Sequence, residues 1–147
     1  MASCQLSGSL PTKIGNFQAL TKMDFTHNLL SGPIPDSIGR FQNLTTLIMP
    51  YNLSNGSLLV SMRNCKSLQI VDLSLNQLRG LLSDELANLQ LVSSLSLENN
   101  HFNGPLPSWL GSWTRVTSLL LATNKFLGSI PKELGDLFFT HHSKLGW

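Results

Sequence analysis

The chain has 147 residues, of which 12% are charged, and its formal net charge is +2. So small a charge excludes the basic surface with which proteins bind nucleic acid or an anionic membrane. No run of 18 apolar residues occurs, so we predict no membrane-spanning helix. We predict no signal peptide either, because the first residues lack a charged start and an apolar segment.

Residues 1–19 are predicted to be the end of an incomplete repeat, since their apolar residues keep the spacing of later segments. Cys4 stands where later repeats have an asparagine, and Cys65 occupies an apolar core position. Turns stacked at strand spacing would hold these two residues ~10 Å apart, whereas a disulfide needs Cα atoms within about 7 Å. We therefore predict two free, buried cysteines and no disulfide.

Five full repeats of 24 residues follow, beginning at residues 20, 44, 68, 92 and 116 and extending to 137. Each opens with apolar residues whose final alternation predicts a short strand. Identical strands repeated at a fixed period stack in parallel. After each strand comes one of the ladder asparagines: Asn28, Asn52, Asn76, Asn100 and Asn124. We expect each amide to bond backbone groups of its own turn and of the next turn.

A glycine, an apolar residue and usually a proline follow each asparagine. Proline is favoured at the first position of a helical turn, so we predict a short helical or 3-10 turn there. A strand on one side and a helical turn on the other predict an α/β repeat solenoid. The parallel sheet would form its concave face and the helical turns its convex face. Residues 138–147 lose the register, and we predict an irregular C-terminal tail.

The core pattern L-x-x-L-x-L-x-x-N, at a period of 24 residues, is the leucine-rich repeat signature. Residues 29–44, L-L-S-G-P-I-P-D-S-I-G-R-F-Q-N-L, resemble the plant-specific subtype of this repeat. That resemblance implies a second short strand around S-G-x-I-P and a right-handed superhelix.

Residues 64–137 resemble the extracellular repeats of plant receptor-like kinases, most of all the excess-microsporocytes receptor kinase class. The resemblance implies a position on the extracellular side of the plasma membrane. It also implies a secreted peptide, a small protein or a co-receptor kinase as partner, and it implies no cofactor. A kinase domain is implied only in the full-length relative.

Side chains between the buried strand positions face outward on the concave side. The candidate partner-binding residues on this face are Asp24, His27, Ile48, Tyr51, Ile70, Asp72, Leu75 and Glu98. The apolar members of this set are predicted to form one exposed patch, of the kind that marks partner sites. The alternative interpretation is a solvated sheet that tolerates a few apolar residues.

Two of three N-x-S/T sequons are candidate glycosylation sites, Asn43 and Asn55. The third, Asn52, is a ladder asparagine whose amide should be occupied. Trp109 is predicted on the helical side, where it either covers a neighbouring turn or contacts a partner.

No catalytic constellation is found in the sequence. Asp84 and Glu85 begin a helical turn, where acids suit the helix dipole, and His141–His142 has no third ligand at metal spacing. We therefore predict a non-enzymatic recognition module, a fragment of a plant receptor ectodomain. Two alternatives stay open: a secreted inhibitor of a cell-wall-degrading enzyme, of the polygalacturonase-inhibitor type, and a truncated gene product without retained function.

Overall fold

A computed structural model of the chain describes residues 2–58, 60–135 and 144–146. The described strands are short and recur in pairs along the chain. In chain order they are β1 (Ser7–Gly8), β2 (Lys22–Asp24), β3 (Leu29–Pro33), β4 (Thr46–Ile48), β5 (Leu53–Gly56), β6 (Ile70–Asp72), β7 (Gln77–Gly80), β8 (Ser94–Ser96), β9 (His101–Pro105), β10 (Ser118–Leu120), β11 (Lys125–Leu127) and β12 (Lys144–Gly146).

The strands form two sheets, in which every described pairing is parallel. The concave sheet has the order β2-β4-β6-β8-β10-β12, and the second sheet has the order β1-β3-β5-β7-β9-β11. In the concave sheet Met23 pairs with Leu47, and Leu47 pairs with Val71, so the register follows the sequence repeat. The predicted parallel stack is confirmed, and so is the second strand implied by the family resemblance.

A short 3-10 helix closes five successive turns on the convex side, as predicted. These helices are Thr12–Asn16, Asp36–Arg40, Val60–Asn64, Asp84–Asn88 and Ser108–Ser112. Before four of these helices the preceding residue is described and is extended, and in three of them it is a proline, such as Pro35 with φ −73°. The ring fixes φ near this value. Ser83 takes the same conformation with φ −70°, so proline is not essential there. None of the helices within the described ranges has the length and apolar composition needed to cross a bilayer.

The core is a filament of apolar side chains shared by successive turns. Leu47, Leu68 and Leu97 are completely buried. Burial is incomplete at the ends of the described stack, where a side chain has a neighbouring turn on one side only. Phe17 and Ile130 stand at repeat positions that hold buried apolar residues in other turns, yet they are 64% and 59% exposed.

The two cysteines are free, as predicted, but only one is buried. The Cys65 thiol donates to the Ile38 carbonyl oxygen at 3.1 Å, and burial raises the pKa of this thiol to about 11. Cys4 is exposed, contrary to the prediction, because no described turn covers it on its outer side.

The C-terminal segment 138–147 was predicted to be irregular. Within it, residues 144–146 form β12, which pairs in parallel with β10 and places Leu145 beside Leu119. The rest of that segment, including the His141–His142 pair, lies outside the described residues, as does Leu137.

The ladder asparagines tie each turn to the one before it. The Asn76 side-chain oxygen accepts the Ser54 amide at 3.0 Å, and its Nδ2 donates to the Met49 carbonyl oxygen at 2.8 Å. The same Nδ2 lies 3.2 Å from the Leu73 carbonyl oxygen of its own turn. Asn52, Asn100 and Asn124 repeat this arrangement. The amides reach the preceding turn, whereas we expected the next one.

Glycine allows the helical turns to approach each other closely on the convex side. A Cβ on Gly39 would lie 2.5 Å from the backbone oxygen of Ser61 in the following turn. Arg63 and Ala87 hold the equivalent place in the third and fourth helices, and the fourth helix packs less closely on the fifth than the earlier helices pack on one another. Trp109 and Trp113, with ring centroids 5.2 Å apart, line an apolar cavity at this junction together with Leu86 and Leu89.

Replacing Asn76 with alanine removes the side-chain acceptor of the buried Ser54 amide and the shorter of two amide contacts to the Met49 carbonyl oxygen, which keeps Asn52 Nδ2 at 3.2 Å. We expect the free energy of unfolding to fall by about 3 kcal/mol, measured by urea denaturation followed by circular dichroism. Gln77→Ala, at the exposed neighbouring position, should change stability by less than about 0.5 kcal/mol. Equal losses in the two variants would contradict the structural role of the amide.

Replacing Gly39 with alanine places a methyl group against the Ser61 backbone, so one of the two turns must shift. We expect a loss of about 1–3 kcal/mol in the same denaturation experiment. Gly135→Ala is the matched control, because a Cβ there meets no described atom within 4 Å. A Gly39 variant as stable as the Gly135 variant would show that close approach of the turns is unimportant.

Candidate functional site

The outward positions of the concave strands bring most of the predicted site residues together. On this face Ile48 of β4 pairs with Asp24 on one side and with Asp72 on the other. Ile70 of β6 pairs with Thr46 of β4. Since neighbouring strands lie about 4.8 Å apart, these side chains form one continuous surface.

The apolar patch consists of Ile48, Tyr51, Ile70 and Leu75. Ile70 is 40% exposed and Tyr51 is 49% exposed, whereas Ile48 and Leu75 are half-buried. Tyr51 and Leu75 lie in adjacent turns that are in direct contact, since the backbone N–H of Asn52 donates to the Leu75 carbonyl oxygen at 3.2 Å. The structure therefore places the four predicted apolar residues on one side of the molecule, and their binding role stays a prediction.

The carboxylates on either side of Ile48 are held by the same local contacts. Asp24 Oδ1 accepts the Thr26 hydroxyl at 2.7 Å and the Thr26 amide at 3.1 Å. Asp72 Oδ1 accepts the hydroxyl and the amide of Ser74 at 2.7 and 3.0 Å. The Thr26 hydroxyl is the main cause that lowers the pKa of Asp24, so this carboxyl is ionised at neutral pH. Each carboxylate keeps one oxygen, Oδ2, outside these contacts.

The residue before each ladder asparagine lies in the left-handed backbone region. The column comprises His27, Tyr51, Leu75, Asn99 and Thr123, with φ between 52° and 57°. This conformation costs energy for residues other than glycine and is stable only where the surrounding structure imposes it. Here the hydrogen bonds of the neighbouring asparagine impose the left-handed conformation. This conformation directs the five side chains to the rim of the concave face. The His27 and Tyr51 rings stack there with centroids 4.1 Å apart.

Two exposed apolar residues were missed in the sequence. Leu29 is 52% exposed and Leu53 is 44% exposed, at the start of β3 and β5. Together with Tyr51 and Leu75 they line a shallow groove of about 430 Å³. The same position in later turns holds Gln77, His101 and Lys125. Because those three residues are polar, a comparison of this position between repeats would have indicated that the two leucines are exposed.

The remaining candidate residues lie on other parts of the surface. Asn43 and Asn55 are exposed, and Asn43 Nδ2 donates to the Gln18 carbonyl oxygen at 3.3 Å. Their glycosylation stays a prediction. Trp109 is half-buried and packs on the core, so it covers a neighbouring turn. Over the described ranges, no three His, Cys, Asp or Glu side chains cluster closely enough to hold a metal ion.

Two solved receptor structures are similar to this chain. The ectodomain of the receptor kinase GASSHO1/SCHENGEN3 from Arabidopsis thaliana, in complex with CASPARIAN STRIP INTEGRITY FACTOR 2, is 34% identical with a TM-score of 0.88. The match covers 90% of this chain and 16% of that one. The ectodomain of the Arabidopsis receptor kinase HAESA, in complex with an extended IDA peptide hormone, is 27% identical with a TM-score of 0.89. That match covers 99% of this chain and 24% of the receptor chain.

A plant ice-binding protein has the same fold, with 27% identity and a TM-score of 0.83 over 88% of this chain and 42% of the other. HAESA has also been solved with both IDA and the co-receptor SERK1, and this complex matches with 28% identity and a TM-score of 0.74. The match covers 93% of this chain and 27% of that one. The chain thus spans less than a third of each receptor chain described.

The Leucine Rich Repeat family profile matches residues 19–41, 67–89 and 92–113. No curated protein matches the sequence. The matched segments begin within one residue of three of the predicted repeats, those at 20, 68 and 92, and contain buried leucines of the core. The chain therefore has the leucine-rich repeat fold, in the form found in plant receptor kinase ectodomains.

Proposed function

We propose that this chain is a non-enzymatic recognition module of a plant cell-surface receptor kinase ectodomain. Its concave face would bind a secreted peptide, a small secreted protein or a co-receptor kinase on the extracellular side of the plasma membrane. The observation that carries this proposal is the apolar patch, in which Ile70 and Tyr51 are exposed on an otherwise largely polar face. Exposed apolar groups rimmed by polar ones are typical of protein-binding sites.

The similar receptors support a peptide as the partner. HAESA was solved with a peptide hormone and GASSHO1/SCHENGEN3 with CASPARIAN STRIP INTEGRITY FACTOR 2, and the second HAESA complex supports a co-receptor. Within this group we propose the excess-microsporocytes class, on the resemblance of residues 64–137. That finer assignment rests on sequence resemblance alone.

The size of the concave sheet limits the affinity that this chain can reach by itself. Six strands at the usual spacing span about 25–30 Å. A stable interface buries about 800 Å² on each partner, which is a large area for a sheet of this height. We therefore expect binding by this chain alone to be weak, with dissociation constants in the micromolar range or above.

We predict that Ile70→Asp abolishes partner binding, because a carboxylate would replace an apolar side chain at the centre of the patch and would be buried without a charged neighbour when the partner binds. The purified chain is immobilised, exposed to extracellular fluid from plant tissue, and the bound material is identified by mass spectrometry. Leu127→Asp is the matched control, since Leu127 is 69% exposed and lies on β11 of the second sheet. Both variants should keep the circular dichroism spectrum of the parent chain.

Three outcomes would contradict the proposal. Capture that is unchanged in the Ile70 variant removes the patch from the binding site. Recovery of a pectin-degrading enzyme instead of a peptide or receptor kinase favours the inhibitor alternative. Absence of a cooperative thermal transition in the parent chain favours a truncated product without function.

A further inference from the structure

The charge of the concave face is opposite to that of the whole chain. The formal net charge is +2, yet the outward positions of the concave strands and rim, from residue 22 to residue 123, carry Asp24, Asp72 and Glu98 against one basic residue, Lys22. The excess of basic residues therefore lies elsewhere. A partner that approaches the concave face meets a local negative potential that the net charge conceals.

The two ends of this acidic surface differ. Lys22 Nζ lies 3.8 Å from Asp24 Oδ2 and partly compensates that carboxylate. The outward positions of β4, β6, β8 and β10 hold no basic residue beside Asp72 or Glu98. Lys144, which pairs beside Ser118, is two strands beyond β8. Asp72 and Glu98 are thus the two carboxylates without a cationic neighbour in the sheet.

Register places these two carboxylates close together. Asp72 pairs with Ser96, and Glu98 follows two residues later on the same face of the next strand. The Leu75 amide donates to the Glu98 carbonyl oxygen at 2.9 Å, which continues that ladder. One strand spacing across and two residues along separate the two positions by roughly 8 Å. A guanidinium or ammonium group fits between them.

The apolar patch flanks the same place on both sides. Ile70 precedes Asp72 on β6 and Ile48 pairs beside it on β4, whereas Tyr51 and Leu75 lie at the rim beyond it. Side chains that project from one face of an extended peptide are about 7 Å apart. A basic side chain with an apolar side chain on either side of it, all on one face of such a peptide, therefore matches the patch.

We propose that the concave patch binds an extended peptide segment in which a Lys or Arg side chain lies between two apolar ones. The cation contacts Asp72 and Glu98, and the apolar side chains lie on Ile48 with Ile70 and on Tyr51 with Leu75. Arg is favoured over Lys, because its planar fork bonds two carboxylates at once. This inference rests on the proposed recognition function and adds the chemistry of its partner.

Two synthetic probes test it: acetyl-Leu-Ser-Arg-Ser-Leu-amide and the same peptide with Glu in place of Arg. Each is titrated into the full 147-residue chain, and amide shifts are followed by NMR at low ionic strength up to about 1 mM peptide. We expect the Arg peptide to bind about tenfold more tightly than the Glu peptide and to shift amides of residues 70–75 and 98. Added salt should reduce the difference.

The double variant Asp72→Asn, Glu98→Gln should bring the two affinities to within about twofold. The matched control is Asp84→Asn, Glu85→Gln, which removes two carboxylates from a convex helix and should leave the preference unchanged. Equal binding of the two peptides, a preference that survives in the Asp72 and Glu98 variant, or no shift with either peptide overturns the proposal. If Ile70→Asp still abolishes partner capture in that case, the recognition function stands and only the basic preference is wrong.

Discussion

The buried asparagine amide is the interaction on which the rest of this structure depends. Each turn of the chain bends sharply after its concave strand and leaves backbone N–H and C=O groups that no sheet satisfies. Asn52, Asn76 and Asn100 complete those bonds from inside the stack and link each turn to the one before it. Because such groups are costly to bury without partners, the amides set the bend, and the bend sets the left-handed rim residues.

Much of this fold could be predicted from the repeat alone. A fixed period with recurring apolar positions requires equivalent strands side by side, so the parallel stack and the convex helical turns followed. The second sheet did not follow from alternation, because segments such as L-L-S-G-P have no regular pattern of apolar and polar residues. It came from the family resemblance. The direction of the amide contacts also escaped prediction, since one sequence period is compatible with bonds to either neighbouring turn.

Other features depend on surroundings that a single repeat does not contain. Phe17 and Cys4 match buried columns, yet each is exposed because burial requires a turn on both sides. The outward-facing residues of the concave strands could be predicted from strand alternation. Leu29 and Leu53 lie after the ladder asparagine, outside the strands to which that alternation applies. The recurring positions of the repeat do not identify a partner, since they specify the residues that the chain buries.

The uneven packing of the convex helices has a mechanical consequence. At Gly15, Gly39 and Gly111 a Cβ would meet the backbone of the following turn, whereas between the fourth and fifth helices the packing is looser and two indole rings line the space. The convex side is therefore packed unevenly along its length, while the concave sheet keeps one register from β2 to β10. A change of curvature at the indole pair would disturb the fewest contacts between helices and would leave the strand pairings intact, so the radius of the concave surface is least firmly fixed there.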